Sequence, residues 1–550
     1  MQAIPARPAP SPANGGPSPG RCPLDRQPID APLLLISLLA CGLILALSWP
    51  FLIRSLADDE VMLFTNFPMN PWRALVEPLP YFDQAGTPIH SAFWALFGGL
   101  PPLPLRLLSS ALLILPALVL IAVALPRCGR WPALAYAAAA LLCFPYGLRM
   151  LSELKHYGLE VLACLLVLVW LMAKPAAALV GPRDALLLGP ALVAGLSTIP
   201  LVPVALGLHL AGRGLAGGPP PRRRELPWLA ALVLLVLAHY ALARHVIHIQ
   251  MANYPDAYLY AGFGTGLGRF LGALASLVAP SPVQLVALVG LPLVVVGLDA
   301  RCSGPSRRLL LLALAVLLVY GLLAGLGLYP ADKQRHVIWM TAFLWMALAS
   351  SLAILQGWIG RGRLGRALAG PRRAALLPLA LALLLALPPL RHLWRTYPQD
   401  QSLTHNNAAI QHLAALPPSR LVFWIGGDRA FHYYRRFRPD LARHRVDPWT
   451  PPASVVRHFD DPRRWQRDAL PMLEPARQAL AAAPAGEPFV LFASHFEREG
   501  GRFPNRAAGL AQALAERDCT TTVRDFRDVH VYQARCRLPS PLDGRRPDPR

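Results

Sequence analysis

Three short clusters of polar residues, each beside a long apolar segment, are the parts of this sequence best suited to chemistry. The first is Asp58-Asp59-Glu60, which follows an apolar segment ending near Ile53. Ionisable groups beside such segments are costly unless they bind a partner or react. A carboxylate in a half-dry setting is also a better base for a hydroxyl. We therefore predict a general base or metal ligand among Asp58, Asp59 and Glu60; the alternative is a solvated cap.

The second cluster precedes and enters a later apolar segment. Glu153, His156, Tyr157 and Glu160 are spaced i, i+3, i+4 and i+7, so a helix would place them in one stripe. Lys155 would point elsewhere, towards a separate partner. Glu160 falls inside the apolar segment, where an ionisable group is a candidate for function. The alternative is a structural, salt-bridged end of the segment.

The third cluster lies in a short loop that starts at Tyr329-Pro330. Lys333, Arg335 and His336 put three cationic or potentially cationic groups within four positions. Arginine binds phosphate through two parallel hydrogen bonds, so this loop is a candidate phosphate site. The alternative is that these side chains only reach towards water from the end of an apolar segment.

The elements that must position these clusters are membrane helices. Of 550 residues, 54% are hydrophobic and 15% are charged, and the apolar residues form blocks near the length that spans a bilayer. We predict a polytopic α-helical membrane protein with about 11 transmembrane helices. The predicted spans are 32–53, 104–125, 131–148, 158–173, 185–199, 200–215, 227–247, 282–299, 309–328, 337–356 and 374–390.

The net charge of +22 would suggest nucleic acid as a partner of a soluble protein. Here much of the basic charge lies in alternate short loops, which indicates topology, and we expect no nucleic acid partner. With the N-terminus in the cytosol, the cytosolic loops carry about twice as many Lys and Arg as the outer loops. The three clusters then share the outer face of the membrane. A lipid-linked phosphate with a reacting group just above it would fit them.

The chain divides into three predicted parts. Residues 1–30, rich in Pro, Gly and Ala, form a disordered cytosolic tail. Residues 31–390 form the membrane domain, whose first span stays as an anchor and whose first outer loop is 54–103. Two apolar patches in that loop suit helices in the membrane interface, anchored by Trp72 and Trp94. A second outer loop, 248–281, is long and aromatic.

Residues 391–550 have the composition of a small extracytoplasmic α/β domain. The predicted elements are strands at 421–425, 489–492 and 529–532 and a helix at 504–517. Cys519 and Cys536 flank the last two strand candidates in what should be an oxidising compartment. They form either a disulfide or two buried thiols.

Several segments along nearly the whole chain resemble the bacterial GT-C superfamily glycosyltransferases. The relevant members are family 39-like, related to protein mannosyltransferases and to the lipid A aminoarabinose and galacturonic acid transferases. The opening is similar in Arg54-Ser-Leu-Ala-Asp-Asp59-Glu60, Gln84-Ala-Gly-Thr-Pro88 and Leu105-Arg106-Leu. Leu154-Lys155-His156-Tyr157-Gly-Leu-Glu160 is similar to the family's Lys-x-Tyr-x-x-Asp segment, and Tyr329-Pro330 with Arg335 to its late Tyr-Pro loop. The similarity continues in Leu421-Val-Phe-Trp-Ile, Tyr433-Tyr434 and Phe489-Val-Leu-Phe-Ala-Ser-His495.

The resemblance implies sugar transfer from a polyprenyl-phosphate donor to an acceptor, with inversion, at the outer face of the inner membrane. It implies Asp59 as the base and Glu60 as a residue that orients a hydroxyl, with Asp58 beside them. The residues implied to bind substrate are Lys155, Tyr157, Arg335, His336, Gln84, Arg106 and Glu160. No cofactor or metal is required by this chemistry, although a divalent cation on the acidic triplet is an alternative.

The implied partners are membrane lipids, the lipid-linked donor, and a lipid, glycan or protein acceptor in the cell envelope, lipopolysaccharide included. The implied location is the bacterial inner membrane, multi-pass, with a cytosolic N-terminus and a periplasmic C-terminal domain. Two other functions stay open. One is an oligosaccharide ligase that uses a lipid pyrophosphate donor, and the other is a lipid or solute transporter without enzymatic activity. A transporter would place ionisable groups near the middle of the bilayer.

Overall fold

A computed structural model describes two groups of elements, helices in the first part of the chain and an α/β sheet near its end. The described ranges are 88–97, 99–119, 157–175, 178–195, 197–215, 222–253, 262–278, 305–329, 334–340, 406–424, 427–446, 470–481, 483–494, 504–526 and 529–537, with isolated positions in 35–52 and 290–354.

Nine helices whose bounds the structure describes lie before residue 341. They are α1 Pro88–Ala95, α2 Pro102–Val119, α3 Tyr157–Ala173, α4 Pro182–Val193, α5 Leu201–Leu215, α6 Leu226–Asn253, α7 Phe263–Val278, α8 Pro305–Gly325 and α9 Gln334–Val337. Predicted spans 158–173 and 200–215 match α3 and α5 closely. Spans 104–125, 185–199, 227–247 and 309–328 match α2, α4, α6 and α8 with shifted ends.

Two stretches of these helices are long and apolar enough to cross a membrane. They are Leu226–Arg244 in α6 and Arg307–Gly325 in α8, each of 19 residues, and Tyr157–Met172 in α3 is a shorter apolar stretch. Only 17% of the α6 stretch is buried. Its outward leucines, among them Leu234 and Leu237, are more than half exposed, which suits a helix that faces lipid. The total of about 11 spans stays a prediction, since spans 32–53, 131–148, 282–299 and 374–390 fall wholly or mostly outside the described residues and only half of the residues in span 337–356 are described.

Helices α3 and α8 run antiparallel, and polar contacts hold them together at one end, here called the inner end. The Asp184 carboxylate accepts hydrogen bonds from Trp170 Nε1 at 2.7 Å and from Lys174 Nζ at 2.5 Å. Arg308, in the first turn of α8, donates to the backbone oxygen of Lys174, just past the end of α3. A second Arg308 nitrogen lies 3.4 Å from Nδ1 of His209. The residue that follows α3 therefore meets the first turn of α8.

A second inner-end contact joins the loops before α4 and α6. Glu225 is fully buried and binds Arg213 through both carboxylate oxygens, at 2.7 and 3.0 Å. The same carboxylate accepts hydrogen bonds from the backbone N–H groups of Val180 at 2.7 Å and Arg222 at 2.9 Å. Burial raises the pKa of the Glu225 carboxyl, but these hydrogen bonds outweigh it and lower the pKa to about 2.

Helix α7 lies where the sequence predicted an outer loop, and this prediction was wrong for residues 263–278. Its Leu267 and Phe270 pack on Gly321 of α8, and the Phe263 ring packs on Gly325. Gly321 and Gly325 form a small-xxx-small pair, which lets a neighbouring helix approach the backbone closely. The glycine-rich start of α7 is therefore part of a helix–helix contact.

A five-stranded sheet forms the second group of elements. Its strands are β1 Arg420–Trp424, β2 Arg445–Val446, β3 Pro488–Ser494, β4 Cys519–Asp525 and β5 Val529–Cys536, in the order β2-β1-β3-β5-β4. Strand β1 is parallel to β2 and β3, whereas β5 is antiparallel to β3 and β4. The α/β unit also contains four helices and a 3₁₀ turn at Pro439–Arg443. The helices are α10 Asn406–Ala415, α11 Gly427–Arg435, α12 Leu470–Ala481 and α13 Pro504–Glu516.

The two faces of the sheet explain why β1 is apolar throughout. Leu421 and Phe423 are buried in one core with α10 and α11, while Val422 and Trp424 are buried in another with α12 and α13. A strand covered on both faces has no solvent side and needs no polar alternation. The predicted α/β class of this region agrees with the sheet.

Cys519 and Cys536 face each other across β4 and β5 and form a disulfide bond. Of the two alternatives left open by the sequence, the disulfide is therefore the one in the structure. Such bonds persist in oxidising compartments, which agrees with the predicted extracytoplasmic placement of this sheet.

The α/β unit packs against α1 and the start of α2. Trp94 of α1 and Leu105 of α2 are buried in the same core as Ile410, Phe423 and Phe431. Trp94 is 1% exposed and donates from Nε1 to Nε2 of His90 at 3.1 Å. The prediction that Trp94 anchors an interfacial helix in lipid was wrong, because this side chain is covered by the sheet domain. Trp72 lies outside the described residues.

Candidate active site

Glu160 lies in the first turn of α3, at the end of the bundle opposite Lys174, here called the outer end. Its side chain is fully buried, and the residue three positions earlier, Tyr157, is 2% exposed. Both therefore belong to the buried stripe of α3, as their spacing predicts. Ser197, in the turn between α4 and α5, lies beside the Glu160 carboxyl.

Gly195 makes the space in which Glu160 sits. A methyl group on Gly195 would lie 2.4 Å from Cγ of Glu160 and 3.1 Å from its Oε1. The Gly195 carbonyl accepts a hydrogen bond from Thr198 Oγ1 at 3.2 Å, and buried His239 of α6 lies against the Gly195 backbone. Residues 195–198 thus form a close-fitting turn that holds a carboxyl group inside the apolar bundle.

The end of α8 joins this turn through aromatic residues. Tyr320 Oη donates to the backbone oxygen of Ser197 at 2.5 Å. Its ring contacts Tyr329 and Trp339, with centroid separations of 5.1 and 4.8 Å. Tyr329 Oη in turn donates to the backbone oxygen of His336 and accepts from Trp339 Nε1 at 3.3 Å. Tyr329, after the end of α8, therefore contacts the segment around α9 and lies beside the Glu160 turn.

Two sequence clusters that are far apart along the chain therefore meet. Tyr157 and Glu160 come from the second cluster, and Tyr329 and His336 come from the third. Arg335 lies in helix α9, immediately before His336. Parts of both clusters share the outer end of the bundle.

Arg106 belongs to a different contact. It is fully buried in α2 and donates from Nη1 to the backbone oxygen of Leu52 at 3.1 Å. Leu52 lies in the first predicted span, six positions before Asp58. Arg106 therefore binds the chain shortly before it reaches the acidic triplet, and it satisfies a carbonyl near the end of that span.

The other predicted site residues lie outside what the structure describes. Asp58, Asp59, Glu60, Gln84 and Lys155 belong to this group, and only the helical backbone of Arg335 is described. Among the described residues, no group of three or more His, Cys, Asp or Glu side chains could hold a metal ion. The roles assigned to all of these residues stay predictions.

Sequence reasoning missed Gly195, Ser197, Tyr320 and Trp339. A weak signal was present: Gly-Leu-Ser-Thr at 195–198 ends a short, proline-containing apolar segment, and Tyr320 is a lone hydroxyl within a long one. Spacing along the chain does not reveal that these segments meet at Glu160.

Substitution of Gly195 by Ala is expected to destabilise the bundle by about 1–3 kcal/mol, because the new methyl group needs space that Glu160 fills. The measurement is thermal unfolding of the purified protein in detergent. Gly207→Ala in α5 is the matched control, since nothing lies within 4 Å of a methyl group there. An unchanged midpoint for Gly195→Ala would show that the Glu160 seat is not tightly packed.

No protein-family model and no curated protein matches this sequence. Solved structures that are similar to the chain include two of ArnT from Cupriavidus metallidurans. The structure bound to undecaprenyl phosphate is 14% identical with a TM-score of 0.49, and the alignment covers 92% of this chain and 98% of that one. The apo structure is 14% identical with a TM-score of 0.46, covering 90% and 97%.

The likeness to ArnT runs along nearly the whole chain.

Proposed function

We propose that this chain is a GT-C-type glycosyltransferase that moves a sugar from a polyprenyl-phosphate donor to an acceptor at the outer face of the inner membrane. The observation that carries the proposal is the meeting of the second and third clusters. Tyr157 and Glu160 lie at the same end of the bundle as Tyr329, His336 and the helix that contains Arg335.

Membrane placement supports the same proposal. A donor with a polyprenyl tail needs a site that opens to lipid, with cationic groups at the level of its phosphate. The long apolar stretches of α6 and α8 provide a bundle with lipid-facing surface. Tyr329 lies just after the end of α8 and donates to the backbone oxygen of His336, so this part of the third cluster lies at the outer end of the bundle.

In the proposed reaction, an acceptor hydroxyl attacks the anomeric carbon from the side opposite the phosphate. The new C–O bond forms as the bond to the phosphate oxygen breaks, and Asp59 takes the hydroxyl proton. Negative charge grows on the departing polyprenyl phosphate, where Lys155, Arg335 and His336 are proposed to stabilise it. Preorganised charges of this kind act on the transition state without reorganising. Glu60 is proposed to orient a substrate hydroxyl.

We also propose two positioning residues. Arg106 binds the backbone shortly before the acidic triplet, so we propose that it fixes the position of the chain from which the catalytic carboxylates extend. Glu160 contacts Gly195 and Ser197, so we propose that it holds the 195–198 turn beside Tyr320.

Substitution of Arg335 by Ala is expected to weaken donor binding by about tenfold or more and to leave acceptor binding nearly unchanged. The reason is the loss of a charge-assisted hydrogen bond to the donor phosphate. The measurement is binding of undecaprenyl phosphate, the lipid in the ArnT structure, together with KM values for donor and acceptor. Arg244→Ala, which removes an exposed arginine of α6, is the control. Equal losses for donor and acceptor would contradict a phosphate role.

An assay of donors tests the proposed function as a whole. Purified protein is supplied with monosaccharide-phosphate lipids and, separately, with oligosaccharide-pyrophosphate lipids, and transfer is followed by mass spectrometry. Transfer from the monophosphate donors alone is expected. Transfer of whole oligosaccharides would favour a ligase. Movement of lipid between leaflets, without any new glycosidic bond, would favour a transporter.

A further inference from the structure

We infer that the inner end of the bundle binds anionic phospholipid headgroups through four arginines. Arg183 is the second residue of α4. Arg222, Arg223 and Arg224 lie just before the start of α6. These four residues, here called the arginine patch, take no part in the proposed sugar transfer, because they belong to the end of the bundle opposite Glu160.

Glu225 brings the two segments of the patch together. Its Oε1 accepts the Val180 N–H at 2.7 Å, and its Oε2 accepts the Arg222 N–H at 2.9 Å. One buried carboxylate therefore ties the loop before α4 to the loop before α6. The bidentate bond to Arg213 of α5 fixes the orientation of that carboxylate. The patch is consequently assembled from two loops held side by side on a rigid base.

The four guanidinium-bearing side chains are exposed, and the carboxylates that the structure describes in the helical part of the chain are all engaged elsewhere. Arg183, Arg222, Arg223 and Arg224 are all exposed in the structure. In the described helical part of the chain, up to residue 340, the acidic residues are Glu160, Asp184 and Glu225, and each is buried. Asp184 is bound by Lys174 and Trp170, and Glu225 by Arg213. The carboxylates at this end thus serve internal contacts, and the surface beside them is left cationic.

An anionic lipid is the partner that this position favours. The patch lies at one end of helices that cross the membrane, where phospholipid headgroups meet water. Exposed arginines there gain about a fivefold affinity each for an anionic membrane surface. Guanidinium groups also bind phosphate in a bidentate manner, which a phosphatidylglycerol or cardiolipin headgroup offers. Zwitterionic phosphatidylcholine lacks the net charge that the patch would compensate.

The experiment measures lipids retained by the full-length protein. The protein is purified in mild detergent with equal amounts of phosphatidylglycerol and phosphatidylcholine, and native mass spectrometry records which lipids stay bound. The wild-type protein is expected to retain phosphatidylglycerol preferentially. A variant with all four patch arginines changed to Gln is expected to retain it at least about tenfold less. A variant with the same four arginines changed to Lys should retain most of the phosphatidylglycerol that the wild-type protein retains.

A charge-matched control separates the patch from net charge. Four exposed arginines of the α/β unit, Arg435, Arg524, Arg535 and Arg537, are changed to Gln, and retention of phosphatidylglycerol should stay at the wild-type level. Equal losses in the control and the patch variant would overturn the inference, as would unchanged retention in the patch variant. The patch variant could instead retain its lipid but lose an acidic soluble protein that co-purifies with the wild-type protein. That result would assign the patch to a protein partner and would also overturn the inference. Thermal unfolding of each variant confirms that the bundle is folded.

Discussion

Substitution of Asp59 by Asn is expected to lower the rate of sugar transfer by at least about a hundredfold. Asn is nearly the same shape as Asp, but its amide cannot take the proton from the acceptor hydroxyl. The attack on the anomeric carbon would then need a hydroxyl that keeps its proton until late in the reaction. The measurement is the initial rate with purified protein, a polyprenyl-phosphate donor and saturating acceptor. The yield of folded protein should be unchanged.

Two neighbouring substitutions serve as the controls for Asp59. Asp58→Asn removes an adjacent carboxylate and should reduce the rate far less, because adjacent side chains point in different directions. Glu60→Gln should mainly raise the KM of the substrate whose hydroxyl it orients. If Asp59→Asn turned over at nearly the wild-type rate, the base would have to be Asp58 or Glu60. If all three variants were fully active, the proposed mechanism would be wrong.

The helices formed by long apolar segments are the part of this fold that the sequence predicts best. Helix α3 begins and ends within one residue of its predicted span, because nearly every side chain of Tyr157–Ala173 is apolar and nothing competes with burial. Strands β1 and β3 were predicted for the same reason, since both are short apolar runs between polar segments, whereas β2 and β4 were not predicted.

Helix α7 shows where this reasoning fails. Its sequence contains Gly264, Gly266, Gly268 and Gly272, and each glycine in a helix interior costs about 1 kcal/mol relative to alanine. Propensity therefore favours a loop. The packing of Phe263, Leu267 and Phe270 on the glycines of α8 overrides this preference, and a single segment does not reveal its distant partner.

The sequence predicted the charged residues of the candidate site but not its small residues. Glu160 stood out because a carboxylate inside an apolar segment is unusual. Gly195 did not stand out, because its importance depends on Glu160 filling the space beside it. Trp94 was misassigned for a related reason. An aromatic residue next to the membrane suits both a lipid interface and a domain contact, and only the position of the α/β unit distinguishes them.

Substitution of Glu225 by Gln is expected to destabilise the helix bundle by about 3–5 kcal/mol at neutral pH, because it leaves the Arg213 charge buried without its partner. Two backbone N–H groups, those of Val180 and Arg222, would also lose a carboxylate acceptor. The measurement is the free energy of unfolding in detergent micelles. The matched control is Glu516→Gln, which breaks the exposed ion pair with Arg477 at 2.7 Å and should have a much smaller effect, since surface pairs contribute little.

The pH dependence of the stability lost in Glu225→Gln tests whether that loss is electrostatic. The pKa of Glu225 is lowered from its ordinary value of 4.5 to about 2 in the folded protein, so the ionised carboxylate stabilises the fold above pH 4.5. This stabilisation is lost as the pH falls from 4.5 through 2, where the carboxyl takes up a proton. Gln resembles the protonated form. The gap in stability between wild-type protein and Glu225→Gln should therefore be full at neutral pH and shrink as the pH approaches 2. A gap that stayed constant between pH 7 and pH 2 would mean that Glu225 stabilises the inner end through its shape alone.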